Sequence, residues 1–126
     1  MLNLDTHILL HALTDQLRPK EKRLLSNDTW SISAIVLWEI SKLRQLGRIE
    51  LDLDRSEVTR ILRRIHTWPL SLEVCRQSCD LDFEADPADE LIAATSIVHE
   101  VPLVTRDRKM RRSRQVPLAA SVRLMV

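Results

Sequence analysis

Four carboxylates stand out because each interrupts an apolar stretch. Asp5 follows Leu2-Asn3-Leu4, Glu39 sits in Val36-Leu37-Trp38-Glu39-Ile40, Asp89 precedes Glu90-Leu91-Ile92, and Asp107 lies just past Leu103-Val104-Thr105. A carboxylate carried into apolar surroundings needs a partner, because an unpaired buried charge is costly. Too few lysines or arginines lie near the first three to pair them off. A hard divalent cation answers the need. Mg²⁺ and Mn²⁺ prefer oxygen ligands, and Mg²⁺ binds through a few carboxylates plus substrate phosphates. Such a centre can activate a water, orient a phosphodiester and neutralise the leaving oxygen. Taken singly, each acid has a plainer role. Asp5 suits a helix N-cap, Glu39 an exposed helical position, Asp89 a helix N-terminus and Asp107 a turn.

The elements that must bring these residues together follow from local pattern. Leu2–Leu4 and Trp30–Ser33 read as strands, residues 7–14 and Pro19–Ser26 as short helices. Ala34–Leu46 is strongly helical and stops at Gly47, a plausible C′ position. Asp54-x-x-Glu57 is a capping pattern that would open a helix running to about His66, with Val58, Ile61, Leu62 and Ile65 on one face. After Pro69, Leu70–Leu72 is a candidate strand and Glu73–Asp80 a helix. Asp86-Pro87 is a favoured N-cap and N1 pair, opening a largely apolar helix to about Glu100. Leu103–Thr105 and Val116–Ala119 complete the strands. Apolar runs alternating with helices indicate βαβ units and a parallel sheet covered on both faces. Ligand sites in such sheets lie beyond the carboxyl ends of the strands. That is where four strand–helix units would deliver Asp5, Glu39, Asp89 and Asp107.

Charge distribution adds a second feature. Arg106–Arg114 holds six basic residues and one acid, a net of +5, so the remainder carries −4 of the chain's formal +1. Asp80–Glu90 holds six acids and no base. The stripe beginning beside Asp107 suits contact with flanking phosphates, and also suits a solvated face or an acidic partner. The 126 residues, 44% hydrophobic and 29% charged, fit one soluble domain, residues 1–126. The single glycine excludes a Walker loop and a G-x-G-x-x-G fingerprint. Cys75 and Cys79, four apart in a predicted helix, read as core thiols rather than a bridge or metal site. His7 and His11 lack a zinc-peptidase glutamate and are expected to be structural or exposed. Trp30, Trp38, Trp68 and Phe83 read as core or interface residues. No apolar run approaches the ~20 residues of a membrane span and the N-terminus shows no basic leader, so a cytoplasmic location without a membrane is expected.

Four segments together carry a resemblance: Leu4-Asp5-Thr6-His7, Ser33-Ala34-Ile35-Val36-Leu37-Trp38-Glu39-Ile40, the stretch from Asp86-Pro87-Ala88-Asp89 through Ala94-Thr95, and Leu103-Val104-Thr105-Arg106-Asp107. In this order and spacing, across essentially the whole chain, the sequence resembles PIN-domain ribonucleases of the VapC toxin type. The resemblance implies a three-layer α/β/α fold around a parallel sheet. It implies an endoribonuclease dependent on one or two Mg²⁺ or Mn²⁺ ions, cutting single-stranded or loop RNA. By the same motif Asp5, Glu39, Asp89 and Asp107 would be the catalytic, metal-binding set, supported by Thr105, Thr6 and Asp86. Asp86 would chiefly cap its helix. Arg106, Arg108, Lys109 and Arg111 would hold the RNA backbone. The implied partners are a homodimer mate and a cognate antitoxin. Leu9, Leu10, Leu13, Leu17, Ile35 and Leu43 offer apolar surface for such contacts.

Three other functions compete. A non-catalytic RNA-binding or assembly module would keep the fold without metal, but the acidic set is intact. A metal-dependent phosphatase or response-regulator-like receiver also puts aspartates at strand ends, but a receiver needs a mid-chain strand ending in aspartate and a late lysine, and no lysine lies between Lys42 and Lys109. DNA cleavage stays open, since no residue visibly reads a 2′-hydroxyl.

Overall fold

The computed structural model describes residues 1–119. Strand β1 (Leu2–Leu4) leads into α1 (Thr6–Leu13) and α2 (Pro19–Ser26). β2 (Trp30–Ser33) is followed by α3 (Ala34–Gln45) and α4 (Ser56–Arg64), then by β3 (His66–Trp68) and α5 (Leu72–Ser78). α6 (Pro87–His99), β4 (Leu103–Val104) and α7 (Arg108–Arg112) complete the order. The four strands form one sheet in the order β3-β2-β1-β4, every pair parallel.

Residues 2–4 of β1 and 31–33 of β2 are all buried. Successive strand side chains point to opposite faces. Burial of every one therefore means that helices cover both sides, the expected three-layer α/β/α arrangement. Leu4, Ile8, Leu9, Ile32, Ile40 and Ile92 lie at the centre. Each such side chain contributes roughly 1.5–3 kcal/mol relative to exposure.

One buried polar residue sets the alignment of sheet and helix. Asn3, wholly buried in β1, donates from Nδ2 to Ser96 Oγ (2.9 Å) and to the Ile92 carbonyl (3.4 Å) of α6. Side chains two apart on a strand share a face, and residues three, four and seven apart on a helix share a stripe. The Asn3 tie therefore brings the Asp5 side of β1 and the Asp89–Ile92–Ser96 stripe of α6 into register.

Several boundaries depart from the sequence reading. The Asp54 cap does not form. The N-cap is Arg55, which makes no side-chain capping bond, and Asp54 instead donates its N–H to Asp52 Oδ1 at 2.9 Å. Its helix ends at Arg64 rather than His66, because Ile65 already has extended backbone and β3 pairs His66–Trp68 with Ser31–Ser33. The strand expected at Leu70–Leu72 is absent among the described residues; Ser71 caps α5 there, accepting from the Val74 N–H at 3.2 Å. The final strand reduces to a single parallel bridge, Leu103 to Leu118. α3 ends as anticipated, with Gly47 at φ +71°.

Candidate active site

β2 and β3 follow β1 on one side of it and β4 returns on the other, so the chain's direction across the sheet reverses between β1 and β4. This is the switch point where open parallel sheets leave a crevice at the strand carboxyl ends. Asp5 sits there directly after β1, 5% exposed. It is the N-cap of α1, its Oδ1 accepting from the Ile8 N–H at 2.9 Å. Its other oxygen, Oδ2, accepts the Thr105 hydroxyl. The register Asn3–Leu103 and Leu4–Val104 brings those two residues level one step on.

The same Thr105 oxygen accepts from the Asp107 N–H at 3.0 Å, and Asp107 Oδ1 accepts from the Met110 N–H at 3.1 Å, capping α7. One hydroxyl thus joins the ends of β1 and β4 to the start of α7. From α1, Thr6 donates its hydroxyl to Glu39 Oε1. Glu39 projects, half-buried, from the middle of α3. Asp89 stands in the first turn of α6. The plain capping roles of Asp5 and Asp107 are therefore both realised, and Thr105 links the two side chains' surroundings.

Asp89 feels the charge of the other three acids. Asp89 is pushed from 3.8 up to about 6, first by burial and then by Glu39, Asp107, Asp5 and Asp86. Asp5 is also raised, by burial above all, against the lowering influence of the Thr105 hydroxyl, the Ile8 N–H and His7, with Asp107 raising it further. No lysine or arginine forms an ion pair with any of these acids among the described residues. Asp86 is the N-cap of α6 by backbone, but its side chain makes no capping bond. Its expected cap is thus a matter of position alone; Pro87, with no N–H to satisfy, opens the helix beside it.

The residues suit a hard cation in donor chemistry: carboxylate oxygens that press on Asp89 and that have no lysine or arginine ion-pair partner among the described residues. Among the described residues no three His, Cys, Asp or Glu side chains are already gathered around one ion position. Both Asp5 oxygens accept hydrogen bonds, but each carries a further lone pair.

The basic stretch is more engaged than its sequence suggests. Arg106 makes a two-pronged bond to Glu21 of α2, Nε to Oε2 at 2.8 Å and Nη2 to Oε1 at 2.7 Å. Glu21 Oε1 also accepts the Arg18 N–H at 2.8 Å. Arg106, chiefly through its hydrogen bonds, holds the Glu21 carboxyl below its ordinary value. Lys109 Nζ donates to the Glu84 carbonyl (3.1 Å), Arg111 to the Thr105 carbonyl (3.0 Å), and Arg108 is exposed. Sequence reasoning missed Glu21. Its partner lies 85 positions away, and only its place in the first turn of α2 marked it locally.

The residues expected to form an apolar docking patch do not. Leu9 and Leu10 are buried, and Leu13, Leu17, Ile35 and Leu43 pack against the core. The outward apolar groups on α3 are Leu37 and Trp38, the latter 55% exposed with Lys42 Nζ 5.9 Å from its ring centroid. Trp38 is thus not a core residue. Cys79 is exposed too, so only Cys75 approaches the expected core thiol. No helix among the described residues is long and apolar enough to cross a membrane.

The PIN domain family model matches residues 3–115. The chain belongs to the PIN domain family. A curated relative, ribonuclease VapC22 of Mycobacterium tuberculosis, is 33% identical over 90 residues, 69% of this chain and 69% of that one. At that identity and coverage this PIN domain stands with the VapC proteins. A toxin–antitoxin complex from Klebsiella pneumoniae superposes with a TM-score of 0.70 at 21% identity, covering 94% of this chain and 98% of the other. VapBC2 from Rickettsia felis, bound to a DNA fragment from the promoter, gives 0.68 at 22% identity, covering 94% and 97%. These two likenesses confirm the PIN fold.

Proposed function

We propose that this PIN domain is a metal-dependent endoribonuclease, the toxin of a toxin–antitoxin pair, hydrolysing phosphodiester bonds in single-stranded or loop RNA. One observation carries the reading: the Thr105 hydroxyl joins Asp5 to Asp107 at the sheet's switch point, Thr6 of the same helix start holds Glu39, and Asp89 feels the charge of all three, with no lysine or arginine in ion-pair contact with them among the described residues. Its kinship with a ribonuclease supports it.

Asp5, Glu39, Asp89 and Asp107 would hold one or two Mg²⁺ or Mn²⁺ ions. A bound ion would supply Lewis acidity toward the phosphodiester and the attacking water, and charge for the leaving oxygen. The chain's own work is orientation. The Ile8 N–H and the Thr105 hydroxyl fix both oxygens of Asp5, the Thr6 hydroxyl turns Glu39, and helix α7 holds Asp107. The neighbours solved as toxin–antitoxin assemblies support an antitoxin partner. The exposed Leu37–Trp38 face of α3 supports a second copy of the chain.

The test is cleavage of total cellular RNA by the purified protein with Mg²⁺, Mn²⁺ or chelator, beside Asp5→Asn. Asparagine caps helices as well as aspartate, so the variant keeps its fold. We expect cleavage only with metal, and a loss on the order of 100-fold or more in the variant, the scale of several kcal/mol of charge stabilisation. Full activity in Asp5→Asn refutes the assignment, and RNA binding without cleavage favours a non-catalytic module.

A further inference from the structure

Beside the acidic crevice, on the α2 side of Thr105, lies a cavity of about 320 Å³. That volume falls at the lower end of the roughly 300–1,000 Å³ typical of small-ligand sites. Its wall is apolar, from Leu24, Val104 and Ala119, and its rim is cationic, from Arg18, Lys20 and Arg111. None of these three cations has a carboxylate partner among the described residues. Among its described lining residues the one carboxylate, Glu21, is held by Arg106.

We propose that this cavity seats one nucleotide of the RNA strand, its base against the apolar wall and its phosphate on Arg18 and Lys20. The proposal rests on the RNA reading above and adds where the strand is gripped. A pocket of acids repels the polyanion it must cut, so affinity has to come from cations close by. Thr105 belongs to both places. Its hydroxyl holds Asp5 while its carbonyl is tied by Arg111 at the cavity's edge. A nucleotide in the cavity therefore adjoins the carboxylates within one strand. An apolar wall under a cationic rim matches a base joined to a phosphate and suits neither a bare anion nor a purely apolar guest.

The test measures the Kd for a fluorescent single-stranded RNA by anisotropy, in chelator so that nothing is cut. Arg18→Ala/Lys20→Ala is compared with Arg60→Ala/Arg63→Ala, which removes equal charge from exposed positions on α4. We expect the cavity pair to weaken binding about ten-fold, with the salt slope falling by about 0.7 per lost phosphate contact, and the α4 pair to change it less than two-fold. Amide shifts on titration with AMP should centre on Leu24, Val104 and Thr105. Equal losses in both pairs, or none in either, overturn the proposal. AMP binding in the cavity without any effect of the pair on RNA assigns it to a free mononucleotide instead. Unchanged RNA affinity with weakened binding of an acidic peptide assigns it to a protein. Metal-dependent cleavage with an unaltered KM in the cavity pair would sink the cavity and leave the nuclease standing. Binding through the cavity without cleavage would do the reverse.

Discussion

Neutralising one acid of the cluster should make the metal-free protein more stable. Asp89 titrates at about 6 in the fold against 3.8 ordinarily, so between those values the native state binds the extra proton. Stability therefore falls as pH rises through that window and levels off above it. At about 1.4 kcal/mol per pH unit the full effect at pH 7 is roughly 3 kcal/mol. Asp89 is only half-buried, so solvent screening reduces this to about 1–2 kcal/mol. Asp89→Asn removes the burden. Its melting temperature in chelator at pH 7 should exceed that of the wild type by roughly 3–8 °C. The gap should close as pH is lowered toward 4. Added Mn²⁺ should raise the wild type more than the variant, since a ligand that binds only the native state stabilises it. An Asn variant that melts at or below wild type at pH 7, or a gap indifferent to pH, would refute the picture of uncompensated repulsion.

Two further outcomes concern the hydrogen-bonded frame. Thr105→Val takes one acceptor from the Asp107 N–H and one donor from Asp5; it should cost about 1–3 kcal/mol in urea melts and lower RNA cleavage, while Thr105→Ser restores both. A harmless valine would show that the hydroxyl positions nothing. Glu21→Gln breaks the two-pronged pair with Arg106, whose side chains are 14% and 26% exposed, at a cost of roughly 1–2 kcal/mol. Because the Glu21 carboxyl is lowered from 4.5, that contribution is undiminished above pH 4.5 and is lost as pH falls further. A double-mutant cycle with Arg106→Met reads the coupling directly, and a value near zero would dismiss the clamp.

What was legible in the sequence had local causes. Asp86-Pro87 announces α6 through the geometry of its first turn, and Leu2–Leu4 announces β1 through a short apolar run closed by Asp5-Thr6. All four acids were visible because each breaks an apolar stretch. β3 was not visible. His66-Thr67-Trp68 is a largely exposed edge strand, defined by pairing with β2, and the apolar period of α4 runs on through Ile65 after its backbone has turned extended. The cap at Asp54 failed because the residue is engaged in a tight local turn with Asp52. Arg106 looked like a surface cation because no local pattern discloses Glu21 across the fold. The apolar side chains of α1 looked like spare surface because the sequence does not show how much a sheet covered on both faces can bury.

Asp5 and Asp107 each start a helix with the same side chain that faces the crevice. Their loss is therefore felt twice, and unequally by replacement. Alanine or valine would unravel a helix start along with the negative charge, whereas asparagine or serine keeps the start and discards the charge alone. Mutational escape from this site has a cheap direction and an expensive one. Silenced descendants of such a chain would then carry small polar residues at these two positions, a durable mark of the acid that once stood there.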